Sequence, residues 1–126
     1  MRVSQIVLLA VLAAAPAASA DRPSQDAQFS ELIEGRTAGK PVRCVNRRGE
    51  TGFNAVGSRL VFRYGSTLAY VNETRGSCQG PGKNEALVVR STGTYLCSGD
   101  LVRVVDPRTG TDWGACTLGR FVPYRK

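Results

Sequence analysis

The chain has 126 residues, of which 17 are basic and 10 acidic, and it contains no histidine, for a formal charge of +7. This length fits one compact domain and leaves no room for a second core. The basic balance favours anionic surroundings, and the lack of histidine removes the commonest base for catalysis near neutral pH.

The N-terminus has the three parts of a secretory signal peptide. A basic start precedes an apolar run over 6–15, and Ala18-Ser19-Ala20 offers the small side chains that a signal peptidase requires. The run is about ten residues long, against roughly 20 for a bilayer span, and nothing downstream is apolar enough to cross a membrane. We therefore expect cleavage after Ala20 and a periplasmic or secreted protein. Without the signal peptide at 1–20, the chain has 16 basic and 10 acidic residues, a formal +6.

Residues 21–40 are predicted to form a flexible leader that contains one short helix. The first of them are polar, which is typical of a loose terminus. Within 26–34, the apolar residues Phe29, Leu32 and Ile33 fall at i, i+3 and i+4 and so share one helical face. A helix of about two turns must dock on the rest of the protein to persist.

The remaining residues, 41–126, show short alternating or β-branched runs punctuated by glycine, which predicts an antiparallel β domain. The clearest hairpin joins 59–64 to 68–72 through a three-residue loop, with Tyr64 opposite Leu68. This register assigns one face of the hairpin to the core. That face holds Leu60, Phe62, Tyr64, Leu68 and Tyr70, while the other holds Arg59, Val61, Arg63, Ala69 and Val71.

A three-stranded meander is predicted over 86–106, with tight turns at Thr92-Gly93 and Ser98-Gly99. Its segments are apolar on both faces, which indicates strands covered on both sides. The predicted fold is therefore mainly β, a small antiparallel barrel or sandwich with a short N-terminal helix.

Two further segments complete the β domain. The long loop 73–85 contains three glycines and a proline, and we expect Cys78 to anchor it. Residues 113–118 are predicted as the last strand.

The four cysteines of this short exported chain predict two disulfides. They are Cys44, Cys78, Cys97 and Cys116. Their spacing contains no Cys-x-x-Cys and no histidine accompanies them, which argues against structural zinc and against a thioredoxin-like redox role. Three pairings are possible, and the spacing alone does not choose among them.

Four short motifs lie in the stretch 38–125. They are Arg43-Cys44, Leu68-Ala69-Tyr70-Val71-Asn72, Leu96-Cys97-Ser98-Gly99-Asp100 and Thr117-Leu118-Gly119-Arg120-Phe121-Val122-Pro123-Tyr124. With these motifs the stretch resembles small exported alphaproteobacterial proteins of the sphingomonad type, which have no assigned activity. The resemblance implies a bacterial envelope setting and carries over no catalytic role. Similar proteins keep counterparts of Cys44 and Cys97 more regularly than of the other two, so the resemblance favours Cys44 with Cys97 and leaves Cys78 with Cys116.

Enzyme chemistry has few groups available, because histidine is absent and the cysteines are expected to be oxidised. Six carboxylates sit beside turn residues, where solvated or capping roles are the common ones. They are Glu50, Glu73, Glu85, Asp100, Asp106 and Asp112. We therefore predict a protein that is not an enzyme, with no catalytic residue, metal site or cofactor.

Nucleic acid is not an expected partner, because Phe62, Tyr64 and Tyr70 share the core face instead of forming an exposed stacking platform. The net charge and the shared hairpin face favour a binding module for an anionic envelope polymer or lipid head group. The candidate residues are Arg59 and Arg63, with Arg90 and Arg103 as additions. The alternative is a periplasmic protein-binding or hydrolase-inhibitor module.

Overall fold

The computed structural model describes residues 10–13, 24–82, 85–90 and 93–126. Apart from 10–13, the predicted signal peptide and its cleavage point lie outside this part of the chain. The described residues form one helix and twelve strands. These are α1 (Gln25–Leu32), β1 (Thr37–Ala38), β2 (Cys44–Asn46), β3 (Gly52–Gly57), β4 (Arg59–Tyr64), β5 (Leu68–Glu73), β6 (Arg75–Gly76), β7 (Gly80–Pro81), β8 (Ala86–Val89), β9 (Tyr95–Cys97), β10 (Leu101–Val105), β11 (Asp112–Thr117) and β12 (Phe121–Arg125).

The largest sheet has six antiparallel strands in the order β1-β12-β5-β4-β3-β7. Its centre is the predicted hairpin, and the register is confirmed, with Tyr64 opposite Leu68 and Phe62 opposite Tyr70. Gly65 opens the connecting turn with a φ of 65°, a conformation that glycine adopts without strain. The local sequence therefore determines this part of the sheet.

The predicted meander over 86–106 is wrong. β8 pairs directly with β10, with Val89 opposite Val102, in a four-stranded sheet of order β6-β11-β10-β8. The intervening β9 pairs with β2 instead, in a separate two-stranded sheet. The turn before β10 does not fold β10 back on β9, because Gly99 N–H donates to the carbonyl of Leu118 at 2.8 Å. This bond turns the chain towards the end of β11.

The prediction of 113–118 as the last strand is also incomplete, because β12 follows and lies inside the six-stranded sheet. The sequence does not predict this strand because it contains Pro123, and proline has no backbone N–H to donate to a neighbouring strand. In the structure the carbonyl of Pro123 accepts from Gly39 N–H at 2.7 Å, just past the end of the short β1. Since the N–H and C=O of a strand residue point to the same side, the missing donor of Pro123 faces the short edge strand β1 and not the inner neighbour β5.

One apolar core joins the three sheets, and they do not close into a barrel. Phe62 and Phe121 of the six-stranded sheet are fully buried against Val102 and Val104 of the four-stranded sheet and Leu96 of β9. The predicted core face of the hairpin is thus confirmed for Leu60 and Phe62, with Tyr64 and Tyr70 packed at its edge as a T-shaped pair 5.4 Å apart, whereas Leu68 is half-buried and lies outside this core.

Both disulfides form with the favoured pairing. Cys44 is bonded to Cys97, its direct neighbour across β2 and β9, and Cys78 is bonded to Cys116. Cys78 and Cys116 are buried in the core, whereas Cys44 is exposed. The second bridge anchors the segment 73–85, as predicted.

Helix α1 covers the outer face of the six-stranded sheet. Ser24 begins it by accepting a hydrogen bond from Ala27 N–H at 3.2 Å. The predicted apolar face of Phe29, Leu32 and Ile33 packs on a small second core of Val61, Ala69 and Val71. The helix therefore lies on the face that carries Arg59 and Arg63.

None of the described residues belongs to a helix of the length and apolarity needed to cross a membrane.

Candidate anion-binding cleft

The structure does not bring the four candidate arginines together. Arg59 and Arg63 lie on the outer face of the six-stranded sheet, beside α1. Arg90 and Arg103 line a depression of about 60 Å³ on the outer face of the four-stranded sheet, together with the exposed Leu101. The core lies between the two pairs, so they belong to different surfaces.

Two of these arginines already have acidic partners. Arg103 donates from Nη2 to Asp112 at 2.8 Å. Arg59 lies 3.4 Å from Asp26 and 3.8 Å from Glu73, and its guanidinium is 4.5 Å from the centre of the Phe29 ring. Since Asp26 and Phe29 belong to α1, Arg59 contributes to holding the helix on the sheet.

Arg63 lines a cleft of about 690 Å³ between α1 and β3, hereafter the α1 cleft. This volume lies within the range of small-molecule sites. The walls are mixed: Leu32 and Val56 are apolar, and the rest are mostly polar or charged. The polar and charged lining residues are Gln28, Glu31, Glu34, Arg36, Asn54, Arg63 and Lys126.

Two cations that the sequence does not single out, Arg36 and Lys126, lie at the same cleft. Arg36 follows α1 and donates to the carbonyls of Leu32 at 2.7 Å and Ser66 at 3.0 Å. The backbone N–H of Lys126 donates to the carbonyl of Thr67 at 3.0 Å. The β4-β5 turn thus joins the end of the helix to the end of the chain, and no sequence motif signals this contact.

Several buried polar atoms at the cleft have no hydrogen-bond partner among the residues that the structure describes. They include Nε of Arg36, Nε of Arg63 and Oδ1 of Asn54. Nδ2 of Asn54 donates to the carbonyl of Gly82 at 3.1 Å, which fixes the orientation of the amide. Buried polar groups are normally paired, and unpaired ones gather where a ligand or water completes them. The cleft is thus polar and incompletely satisfied by the protein itself.

Gly52 makes room for the Arg63 side chain. The two residues are neighbours across β3 and β4, and a Cβ atom at position 52 would overlap the Arg63 guanidinium, with Cζ only 2.7 Å away. Any side chain at Gly52 would therefore displace the Arg63 guanidinium.

The carboxylates singled out from the sequence are dispersed over the fold. Asp100 accepts from Cys97 N–H at 2.8 Å and so caps its turn as predicted. Asp106 accepts from Arg108 N–H at 2.8 Å, and this hydrogen bond lowers its pKa. Asp112 accepts from Gly114 N–H at 2.8 Å, and Glu73 is exposed beside Arg59.

Two of the carboxylates are not solvated, contrary to the prediction. Glu85 is buried, with 7% of its surface exposed, and its Oε2 lies 3.5 Å from Ala55 N. Glu50 forms an ion pair of 2.8 Å with Arg47 and keeps 10% of its side chain exposed. The Glu85 side chain thus reaches β3, and the Glu50 side chain reaches Arg47 just past the end of β2. Among the described residues, no three His, Cys, Asp or Glu side chains gather as a metal site.

Comparisons of the chain with family models, curated proteins and solved structures found no match.

Proposed function

We propose that this protein is a non-enzymatic binding module for an anionic component of the bacterial envelope, and that the α1 cleft holds the anionic group. The observation that carries the proposal is the convergence of Arg36, Arg63 and Lys126 on one cleft, where the Nε donors of both arginines have no partner in the described part of the chain. Guanidinium groups bind phosphate and carboxylate strongly because they can donate two parallel hydrogen bonds.

The other walls of the cleft favour a sugar phosphate within this class. Oδ1 of Asn54 accepts no hydrogen bond from any described residue, and Glu31 and Glu34 lie at the cleft on the helix side. These acceptors suit the hydroxyl groups of a sugar, whereas the cations suit its phosphate. Phosphorylated sugars are head groups and repeating units of envelope glycolipids and polymers. The predicted signal peptide and the two disulfides support an extracytoplasmic setting.

The proposal is tested by calorimetric titration of the exported, oxidised protein with glucose 1-phosphate, with glucose as the uncharged control. We expect the phosphate to bind at low ionic strength, more weakly as salt increases, and glucose to give no measurable heat. Arg63→Gln should weaken binding about tenfold or more, since a hydrogen bond to a charged group contributes about 1.5–3 kcal/mol.

Two further variants separate a defined site from general charge attraction. Arg108→Gln removes the same charge from the exposed turn after β10 and should leave affinity within about twofold. Gly52→Ala keeps the net charge but displaces the Arg63 guanidinium, so it should weaken binding as Arg63→Gln does. Equal losses in Arg63→Gln and Arg108→Gln would show diffuse attraction only and would overturn the proposal.

Within the alternative of a protein-binding or inhibitory module, a protease inhibitor would need an exposed rigid loop, for which the segment 73–85 is the natural candidate. In the described part of that loop, β6 pairs with β11 and β7 pairs with β3. The described residues of this segment are thus held against both sheets and do not project from them as a rigid loop.

A further inference from the structure

A second cavity lies on the other side of α1 from the α1 cleft. This cavity, hereafter the Phe29 groove, has a volume of about 300 Å³. Val71 and Val122 form its floor and are direct neighbours across β5 and β12. Phe29 from the helix and Tyr124 from β12 also line it. The groove therefore offers a mainly apolar surface that can hold a short hydrocarbon chain.

The two arginines at the groove differ in whether an acidic side chain pairs with them. Arg59 is shared between Asp26 and Glu73, as described above. Arg120 is exposed, and its side chain makes no hydrogen bond or ion pair with any residue that the structure describes. An unpaired guanidinium beside an apolar floor is complementary to a ligand with a carboxylate at one end and a hydrocarbon chain at the other.

We propose that the Phe29 groove reversibly binds a short-chain fatty carboxylate, with its chain on Val71 and Val122 and its carboxylate paired with Arg120. The proposal is independent of the α1 cleft, because it uses a different cavity and a different ligand chemistry. Glu73 also lines the groove and opposes a carboxylate there, so the affinity is limited by repulsion as well as by the small volume.

Hexanoate is the probe, with hexanamide as its uncharged analogue and acetate as the anion without a chain. Amide chemical shifts of the oxidised protein, recorded by NMR during each titration, give both the affinity and the location. We expect hexanoate to shift Val71, Val122 and Tyr124, and to bind about tenfold more tightly than hexanamide or acetate. Shifts confined to Asn54 and Lys126 would place the ligand in the α1 cleft and overturn the proposal.

Three variants test the assigned roles. Arg120→Gln should lower hexanoate affinity to that of hexanamide and leave hexanamide binding unchanged, whereas loss of structure would abolish the binding of both. Glu73→Gln should tighten hexanoate binding severalfold and leave hexanamide unchanged, because it removes the opposing charge and releases Arg59 from one of its two acidic partners. Val122→Thr keeps the shape of the floor but adds a hydroxyl group, so it should weaken both ligands equally. A preference for hexanoate that survives Arg120→Gln would refute the role of Arg120 and the proposal with it.

Discussion

Asn72 connects the end of β11 to β5 through two hydrogen bonds. The side chain is fully buried on the core face, and Oδ1 accepts from Gly119 N–H at 2.8 Å while Nδ2 donates to the Gly119 carbonyl at 2.8 Å. Gly119 directly precedes Arg120 and β12. The amide thus substitutes for backbone pairing where the chain turns into its final strand.

Asn72→Ala should destabilise the protein by about 2–6 kcal/mol, because it leaves two backbone groups of Gly119 unpaired at about 1–3 kcal/mol each. This loss is a large share of the roughly 5–15 kcal/mol that holds a domain folded. Urea denaturation followed by circular dichroism measures it. Asn46→Ala is the matched control, since its side chain accepts only one exposed hydrogen bond, from Arg48 N–H at 3.0 Å, and it should cost about 0.5 kcal/mol.

The variant Asn72→Asp tests the same two hydrogen bonds through the pH dependence of stability. The introduced carboxylate still accepts from Gly119 N–H but faces the Gly119 carbonyl, so burial raises the pKa of this group above the unfolded value of about 4. A protonated carboxyl group can donate to that carbonyl. The variant should therefore be most stable below pH 4 and lose stability as the pH rises through the raised pKa. A loss below about 1 kcal/mol in Asn72→Ala, or a pH-independent Asn72→Asp, would refute the reasoning.

Two further predictions concern the disulfides and Tyr64. Limited reduction followed by alkylation and peptide mapping should label Cys44 and Cys97 first, because Cys44 is exposed while Cys78 and Cys116 are buried; early labelling of Cys78 would contradict this. Burial raises the pKa of Tyr64 to about 12, and its hydroxyl donates to the carbonyl of Asn46 at 2.8 Å. The protonated phenol therefore stabilises the fold below pH 10, and this stabilisation is lost as the pH rises towards 12. An absorbance titration of Tyr64→Phe should lack the most alkaline of the tyrosine ionisation steps that the unsubstituted protein shows.

The parts of the fold that local sequence determines were predicted correctly. The β4-β5 hairpin follows from alternation on both sides of a glycine-containing turn, and the face of α1 follows from the spacing of Phe29, Leu32 and Ile33. The favoured disulfide pairing came partly from the resemblance, because spacing left three possibilities. The pairing places Cys44 opposite Cys97 in the structure.

The errors concern pairings between segments distant in sequence. A run such as 94–97 can pair with its neighbour or with any other open edge, and the outcome depends on Val45 and Leu96 sharing the core. Alternation gives no information about that choice. The same limit applies to the α1 cleft, where Arg36, Arg63 and Lys126 are brought together only by tertiary structure. Composition indicates a cationic protein, but it does not show which basic side chains lie close together in the structure.

Helix α1 contributes to both proposed binding sites, because it forms one wall of the α1 cleft and one wall of the Phe29 groove. A helix of eight residues is not stable in water by itself. Its docking depends on the contacts of Phe29, Leu32 and Ile33 with the sheet and on the pairing of Asp26 with Arg59. Since each cavity exists only while the helix is docked, a ligand in either one stabilises the docked state. Under both proposals, the two ligands therefore favour each other's binding without sharing a contact residue.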